Sequence, residues 1–317
     1  MRIGLDAMGG DYAPRVAVEG AHAALTHLSE ETTLVLFGDR AALAAADNYG
    51  LLDNPKIDVV HTSEVIAMGD HPVKAFTQKS DSSIVVGFRH LCSGDIAGFA
   101  SAGSTGAMMV GCMQAVGQID GVIRPAIATA LRTAGGGDIL LLDVGLNADC
   151  KPEVLAQYGT IGSIYAQTAL GIEKPRVALL NIGEEPEKGN LLTKATFPLM
   201  AECGAAGNYH FVGNIEGKHL LTGDVADVVV CDGFSGNTLL KTIEGFHHIL
   251  TKQGVAGSFI NGLNYENVGG TPVLGINSTV IIGHGCSSAL AITNMIRLTE
   301  RAARTDMVSQ FKRAFND

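Results

Sequence analysis

At 317 residues the chain is long enough for one large domain or two lobes, and 46% hydrophobic against 17% charged residues gives ample material for a core, which excludes an intrinsically disordered protein. Lys and Arg number 22 against 32 Asp and Glu, a net charge of −10 with histidine neutral, which excludes a general polyanion binder unless a basic face is segregated. Forty glycines, about 13% of residues where roughly 7% is usual, point to many tight turns or close backbone approaches.

In chain order, short and wholly apolar runs at residues 3–6, 33–37, 57–60, 96–100, 139–143, 177–181, 209–212, 228–231 and 280–282 predict strands covered on both faces. With a strand starting at the N-terminus, no signal peptide is expected, and no window reaches the 18 or so apolar residues of a membrane span. Helix-period segments lie between the strands. Residues 152–169 place Val154, Leu155, Tyr158, Ile161, Gly162 and Tyr165 on one face behind Pro152. Leu239, Leu240, Ile243, Phe246 and Leu250 form a second stripe, and both stripes are expected in the core. The alternation predicts an α/β/α sandwich with a mainly parallel sheet. A single domain over residues 1–317 is expected, with a short helical segment at about 238–265. The six cysteines are scattered without paired spacing, so reduced thiols in a cytoplasmic protein are expected.

Most predicted strands run into a small polar or glycine-rich turn. These are Asp6-Ala7-Met8-Gly9-Gly10-Asp11, Ser101-Ala102-Gly103-Ser104-Thr105-Gly106, Asp143-Val144-Gly145-Leu146-Asn147, Asn181-Ile182-Gly183-Glu184-Glu185 and Asp232-Gly233-Phe234-Ser235-Gly236-Asn237. Ligands of open α/β sheets sit outside the carboxyl ends of the strands, so the set predicts an extended polar site there. Any single turn is explained by chain reversal alone.

No Walker A sequence, H-E-x-x-H, cysteine–histidine cluster or G-x-S-x-G elbow occurs, so neither a metal nor a cofactor is expected, and an α/β-hydrolase is not. Gly283-His284-Gly285-Cys286-Ser287-Ser288 follows a strand and opens a helix but lacks the third glycine of a dinucleotide fingerprint, and the remaining chain is too short for that unit. It reads as a helix N-terminus facing an anion, as does Gly103-Ser104-Thr105-Gly106, which makes an ordinary N-cap equally well. His284, held between two glycines, can present an imidazole to a cleft. Lys188, taken alone, belongs to a solvated charge run.

Taken together the blocks resemble the bacterial phosphate acyltransferases of phospholipid synthesis. Besides the turns above, the resemblance runs through Leu142 to Glu153, Lys188-Gly189-Asn190, Leu192-Thr193-Lys194, Phe211 to Gly217 and Gly283-His284-Gly285, in order from residue 1 to about 297. It implies transfer of a long-chain acyl group from the thioester of acyl carrier protein to inorganic phosphate, giving acyl phosphate for glycerol 3-phosphate acylation. It also implies a fold similar to isopropylmalate dehydrogenase and phosphate acetyltransferase, a homodimer, transient contact with glycerol 3-phosphate acyltransferase, a peripheral place at the inner face of the membrane, and no nucleic acid. Lys188 and Asp232 are carried over as active-site residues, Lys188 to bind phosphate and Asp232 to orient or neutralise it. His284 is assigned to the oxyanion or the departing thiolate, and Ser104, Thr105, Gly106, Asn237 and Gly285 to the phosphate cradle.

The chain departs from the family at Ser104, where Asn is usual, and at Val122-Ile123-Arg124-Pro125, where a carboxylate beside Arg124 is lost, so Arg124 is left out of the site. Residues 245–265 are shorter than the lysine- and leucine-rich helical pair that relatives carry, with Val255, Phe259, Ile260 and Leu263 as apolar anchors and Lys252 as the one lysine. Arg297, Arg301 and Arg304 share one helix face, with Lys312 and Arg313 beyond. They fit either docking of the acidic carrier protein or a solvated helix end. A phosphate acetyl- or butyryltransferase using CoA thioesters, a metal- and NAD-dependent decarboxylating dehydrogenase and a non-catalytic membrane-docked scaffold are the competing readings.

Overall fold

The computed structural model describes residues 1–316, which fold into two compact units: Met1–Gln118 with Tyr265–Val308, and Ile119–Asn264 with the chain from Ser309 onward. The first part of unit 1 runs β1 (Arg2–Asp6), α1 (Arg15–Ala24), β2 (Thr33–Gly38), α2 (Arg40–Ala46), β3 (Ile57–His61), α3 (Pro72–Gln78), α4 (Ser83–Cys92), β4 (Gly98–Ser101) and α5 (Thr105–Val110). Unit 2 follows with β5 (Ala126–Arg132), β6 (Asp138–Leu142), α6 (Pro152–Ala169), β7 (Arg176–Leu180), α7 (Leu191–Ala205), β8 (His210–Ile215), α8 (His219–Thr222), β9 (Val228–Val230), α9 (Gly233–Lys252) and α10 (Ser258–Gly262). The chain ends with α11 (Tyr265–Val268), β10 (Thr271–Leu274), β11 (Thr279–Ile282), α12 (Ala289–Arg304) and α13 (Met307–Asn316).

In unit 1 the strand order is β3-β2-β1-β4-β11-β10, all parallel except β10, which runs antiparallel to β11. Side chains alternate across a strand. Leu34 and Leu36 of β2 accordingly join Ile3, Leu5, Ile292 and Ile296 in one core, while Val35 and Phe37 join Phe88, Phe99 and Val280 in another. This is why the strand reads as an unbroken apolar run. Glu300 of α12 is buried and accepts from the Ser29 amide (3.1 Å), the Thr32 hydroxyl (2.6 Å) and the Arg304 guanidinium (3.2 Å). Arg304 is therefore held by the fold, whereas Arg297 and Arg301 face solvent.

In unit 2 the order is β5-β6-β9-β7-β8, parallel throughout except for the β5–β6 pair. The six residues of the expected stripe on α6 are all buried. On α9 the expected core stripe holds only in the first half: Leu240 and Ile243 are buried, but Phe246 is 61% exposed. The helical period specifies a common face; it does not say how far along the helix a partner extends. The segment expected at about 238–265 is α9 from its second turn, then α10.

Two strands escape the apolar-run criterion. β5 (Ala-Ile-Ala-Thr-Ala-Leu-Arg) carries three alanines, poor strand formers that become strand by pairing with β6. β10 contains Pro272, which argues against a strand interior and is tolerated here next to an antiparallel partner. The fourth strand begins at Gly98, two residues later than the run at 96–100.

Candidate active site

Parallel strands send their carboxyl ends to one edge, so the predicted turns gather there within each unit. In unit 2 they enclose a cavity of about 450 Å³, with polar walls from Asn181, Asn190, Thr193, Asp232 and Ser235 and apolar walls from leucines of α6, β7 and α9. Asp232 caps α9: its Oδ1 accepts the Ser235 amide at 2.9 Å and its Oδ2 the Ser235 hydroxyl at 2.9 Å. Cys231, just before it, is buried, and its thiol is pushed well above the ordinary range by burial first and by the Asp232 and Asp143 carboxylates second.

Lys188 stands on the loop between β7 and α7, whose backbone is tied down on every side. Asn181 Nδ2 donates to the Lys188 carbonyl (3.1 Å), the Lys188 amide donates to the Glu185 carbonyl (3.1 Å), and Asn214 Nδ2 donates to the same Glu185 carbonyl (2.9 Å). His219 lies between Glu184 (3.3 Å) and Asp224 (3.0 Å). Gly189 has φ +107°, and a β-carbon there would lie 2.0 Å from the Thr193 hydroxyl, so only glycine makes this turn. The result is a rigid loop with an exposed lysine whose ammonium has no hydrogen bond or ion pair among the described residues. Asp232, expected to pair with that lysine, makes its hydrogen bonds to Ser235. Asp232 lines the cavity, and Lys188 precedes wall residue Gly189 in the chain.

A buried aspartate shapes the turn after β6. Asp143 Oδ1 accepts the amides of Ile127 (3.1 Å), Gly145 (3.3 Å) and Leu146 (3.1 Å), and Oδ2 accepts the Asn147 amide (2.6 Å). Arg124, left out of the site on sequence grounds, donates to Asn147 Oδ1 at 3.3 Å and so touches this turn. Asn237 is exposed and lies against Gly145, where a β-carbon would be 3.4 Å from its Oδ1. Cys150, close by, has its thiol pushed up to about 11 by burial and then by the Asp143 and Asp232 carboxylates.

Unit 1 holds the other expected residues. Asp6 is buried at the end of β1, its carboxylate accepting the Ser101 hydroxyl (2.6 Å) and the Met8 amide (3.0 Å). Burial raises its pKa against these hydrogen bonds. The Gly283–Ser288 turn joins the cluster through the Asp11 amide, which donates to the Gly285 carbonyl at 2.8 Å. The His284 ring meets Tyr265 edge-on, 5.0 Å between centroids. Ser104 is buried and caps α5 by accepting the Ala107 amide at 3.3 Å, while Thr105 is exposed. At Gly106 a β-carbon would lie 2.4 Å from Pro72, so this glycine is accounted for by the packing of α3 on α5. The structure thus brings Lys188, Asp232 and Asn237 into unit 2 and Ser104, Thr105, Gly106, His284 and Gly285 into unit 1.

Sequence reasoning assigned no role to Asn181, Asn190, Thr193 or Ser235, although all four line the cavity. Each sits inside a block already singled out, and the signal was available in Asn190-Leu191-Leu192-Thr193 and Asp232-Gly233-Phe234-Ser235, both N-cap spacings that place a side chain at a helix start.

Comparison with known proteins fits this geometry. Residues 1–253 match the family described as Fatty acid synthesis protein. The phosphate acyltransferase of Thermoanaerobacterium thermosaccharolyticum is 41% identical, the alignment covering 99% of this chain and 96% of that protein. Among solved structures, a phosphotransacetylase from Staphylococcus aureus (TM-score 0.65, 17% identity, 96% of this chain and 94% of that one) and a branched-chain phosphotransacylase from Enterococcus faecalis (TM-score 0.66, 16% identity, 96% and 99%) share the fold. An identity that high over nearly two whole chains, with the family blocks in their order, means that the chain belongs to the phosphate acyltransferases and is an enzyme of that family.

Proposed function

We propose that the protein transfers a long-chain acyl group from acyl carrier protein to inorganic phosphate, and that the acyl phosphate feeds glycerol 3-phosphate acylation toward phosphatidic acid. The observation that carries this reading is the unit 2 cavity at the carboxyl ends of β7 and β9, whose wall residue Gly189 follows an exposed lysine with no protein partner among the described residues. Phosphate is partly dianionic at neutral pH and needs no serine or cysteine nucleophile. It needs a cation that is not already neutralised, hydrogen-bond donors, and a fixed distance from the thioester carbonyl. Lys188 supplies the cation. The Ser235 side of the α9 N-terminus, held by Asp232, supplies a positive dipole end. The phosphate oxygen attacks the thioester carbon, the tetrahedral oxyanion collapses, and the thiolate leaves. His284, in unit 1, is assigned the proton for that thiolate, and its role is tested separately: His284→Gln should lower kcat while leaving the KM for phosphate unchanged. Asn237 remains a proposed cradle residue in unit 2, and Ser104, Thr105 and Gly285 remain proposed anion contacts in unit 1; Gly106, expected in the cradle, is accounted for by packing.

Acyl carrier protein, a second copy of this chain and, transiently, glycerol 3-phosphate acyltransferase are the proposed partners, with a cytoplasmic location. No helix among the described residues is long and apolar enough to cross a membrane. Phe246 and Ile249 are exposed on α9 near Lys252, which supports a peripheral contact with the inner face of the membrane. The second reading, a CoA thioester donor, is favoured by the fold shared with phosphotransacetylases. Kinetics with palmitoyl-carrier protein and palmitoyl-CoA side by side decide between them: the proposal expects the carrier-protein thioester to have the higher kcat/KM, and productive turnover with the CoA thioester alone transfers the assignment to the second reading.

A further inference from the structure

Resting on the acyl-transfer reading, we propose that the apolar wall of the unit 2 cavity is the acyl-chain site, and that Leu239 and Ile182 set the length of chain it accepts. A phosphate ion has five non-hydrogen atoms, every exposed one an oxygen that wants a donor. It fills a small part of a cavity of about 450 Å³, a size that falls in the roughly 300–1,000 Å³ range of sites enclosing a drug-sized molecule. Much of the lining has no use for phosphate: Leu155, Leu179, Leu180, Ile182 and Leu239 are apolar, beside the polar Asp232, Asn190 and Thr193.

The mouth repeats this composition. Ile182 is 78% exposed, Leu191 90% and Phe234 70%. Ile182 is itself a wall residue, Leu191 at the start of α7 follows wall residue Asn190, and Phe234 in the first turn of α9 lies between wall residues Asp232 and Ser235, so three large apolar side chains are left in water in the segments that supply one cavity. Single exposed apolar residues are ordinary, but a group of them rimming a concave apolar surface marks a ligand site. A hydrocarbon chain joined to a polar reacting end is the occupant with matching chemistry: its tail covers the leucines, and its thioester stops at the polar end beside the lysine loop. A second copy of this chain covering the rim is the competing occupant, and the test distinguishes it.

The experiment measures kcat/KM for butyryl-, octanoyl-, lauroyl- and palmitoyl-carrier protein with saturating phosphate, for the parent enzyme, Leu239→Trp and Ile182→Ser, with the oligomeric state of each recorded. The parent should gain up to about fourfold per methylene until the cavity is full, and then level off. Leu239→Trp, which fills the cavity, should level off at a shorter chain and lose at least about tenfold with palmitoyl relative to butyryl donor. Ile182→Ser, at an exposed position that leaves folding intact, should weaken long donors more than the butyryl donor. Proportional loss with every donor, an unchanged ladder in both variants, or a changed oligomeric state with an unchanged ladder overturns the inference. Failure of the parent enzyme to form acyl phosphate from any of the four donors instead overturns the reading on which it rests.

Discussion

The hydroxyl of Ser101, at the end of β4, donates to the buried carboxylate of Asp6, at the end of β1, across 2.6 Å. The same hydroxyl accepts the Gly103 amide at 2.9 Å, so one serine joins the turns after two neighbouring strands. Burial holds the Asp6 pKa above its ordinary value, and the Ser101 and Ser83 hydroxyls with the Met8 and Gly9 amides work against that rise.

Because the folded-state value lies above the unfolded one, the native protein keeps a proton that the unfolded chain has lost, and stability falls as pH rises through the window that begins near 3.8. Ser101→Ala removes a bond to the ionised form and lifts the folded value further, which carries the window upward. The variant should lose about 1–3 kcal/mol at pH 8 and less at pH 4.5, as read by denaturant unfolding at both pH values. A loss that is equal at the two, or larger in acid, would contradict this assignment.

Lys188→Ala should separate activity from stability. The side chain is exposed and has no partner among the described residues, so unfolding free energy should change by no more than about 0.5 kcal/mol. Acyl transfer should fall about 10²–10³-fold, as for loss of a central charge-assisted donor. Near-normal turnover removes Lys188 from the site.

Asp232 has two roles that two substitutions divide. Asp232→Asn keeps an acceptor for the Ser235 amide and should remain within about 0.5 kcal/mol of the parent, while Asp232→Ala loses the cap of α9 and should cost about 0.5–2 kcal/mol. Both should reduce turnover by about 10²-fold or more, because both remove the carboxylate. Full activity in Asp232→Asn would leave this residue a helix cap and nothing more.

Cys150 reports on the same carboxylate. With its thiol pushed up to about 11, it is almost wholly protonated at pH 8 and should react slowly with iodoacetamide, while the exposed Cys286 serves as an internal reference. Asp232→Asn removes one of the negative neighbours and should accelerate Cys150 labelling, by up to about tenfold for each unit of pKa recovered. Peptide mass spectrometry follows the two sites, and an unchanged or slower rate at Cys150 would show that Asp232 carries no charge beside it.

Much of this architecture is legible from the sequence because the strands are buried on both faces. β2, whose side chains feed two cores, announces itself as Leu-Val-Leu-Phe, and α6 shows its period because nearly every turn is covered. What escaped depends on distance along the chain. The alanines of β5 and Pro272 of β10 become strand only through their partners, and unit 1 closes from segments 146 residues apart (118 to 265) with no linker composition to mark the junctions. The catalytic candidates were readable as blocks, but not their contacts. Asp232 bonds to Ser235, three residues on, where pairing with Lys188 was expected, and Gly106 makes room for Pro72, a contact that local sequence does not reveal.

The most direct test of the account is to incubate the purified protein with palmitoyl-carrier protein, with and without inorganic phosphate, and to trap acyl phosphate as the hydroxamate with hydroxylamine. The account predicts palmitoyl hydroxamate above the phosphate-free background that hydroxylamine draws directly from the thioester, an excess that falls about 10²–10³-fold in Lys188→Ala. Hydroxamate formed at the same rate without phosphate, or none with phosphate, would contradict it.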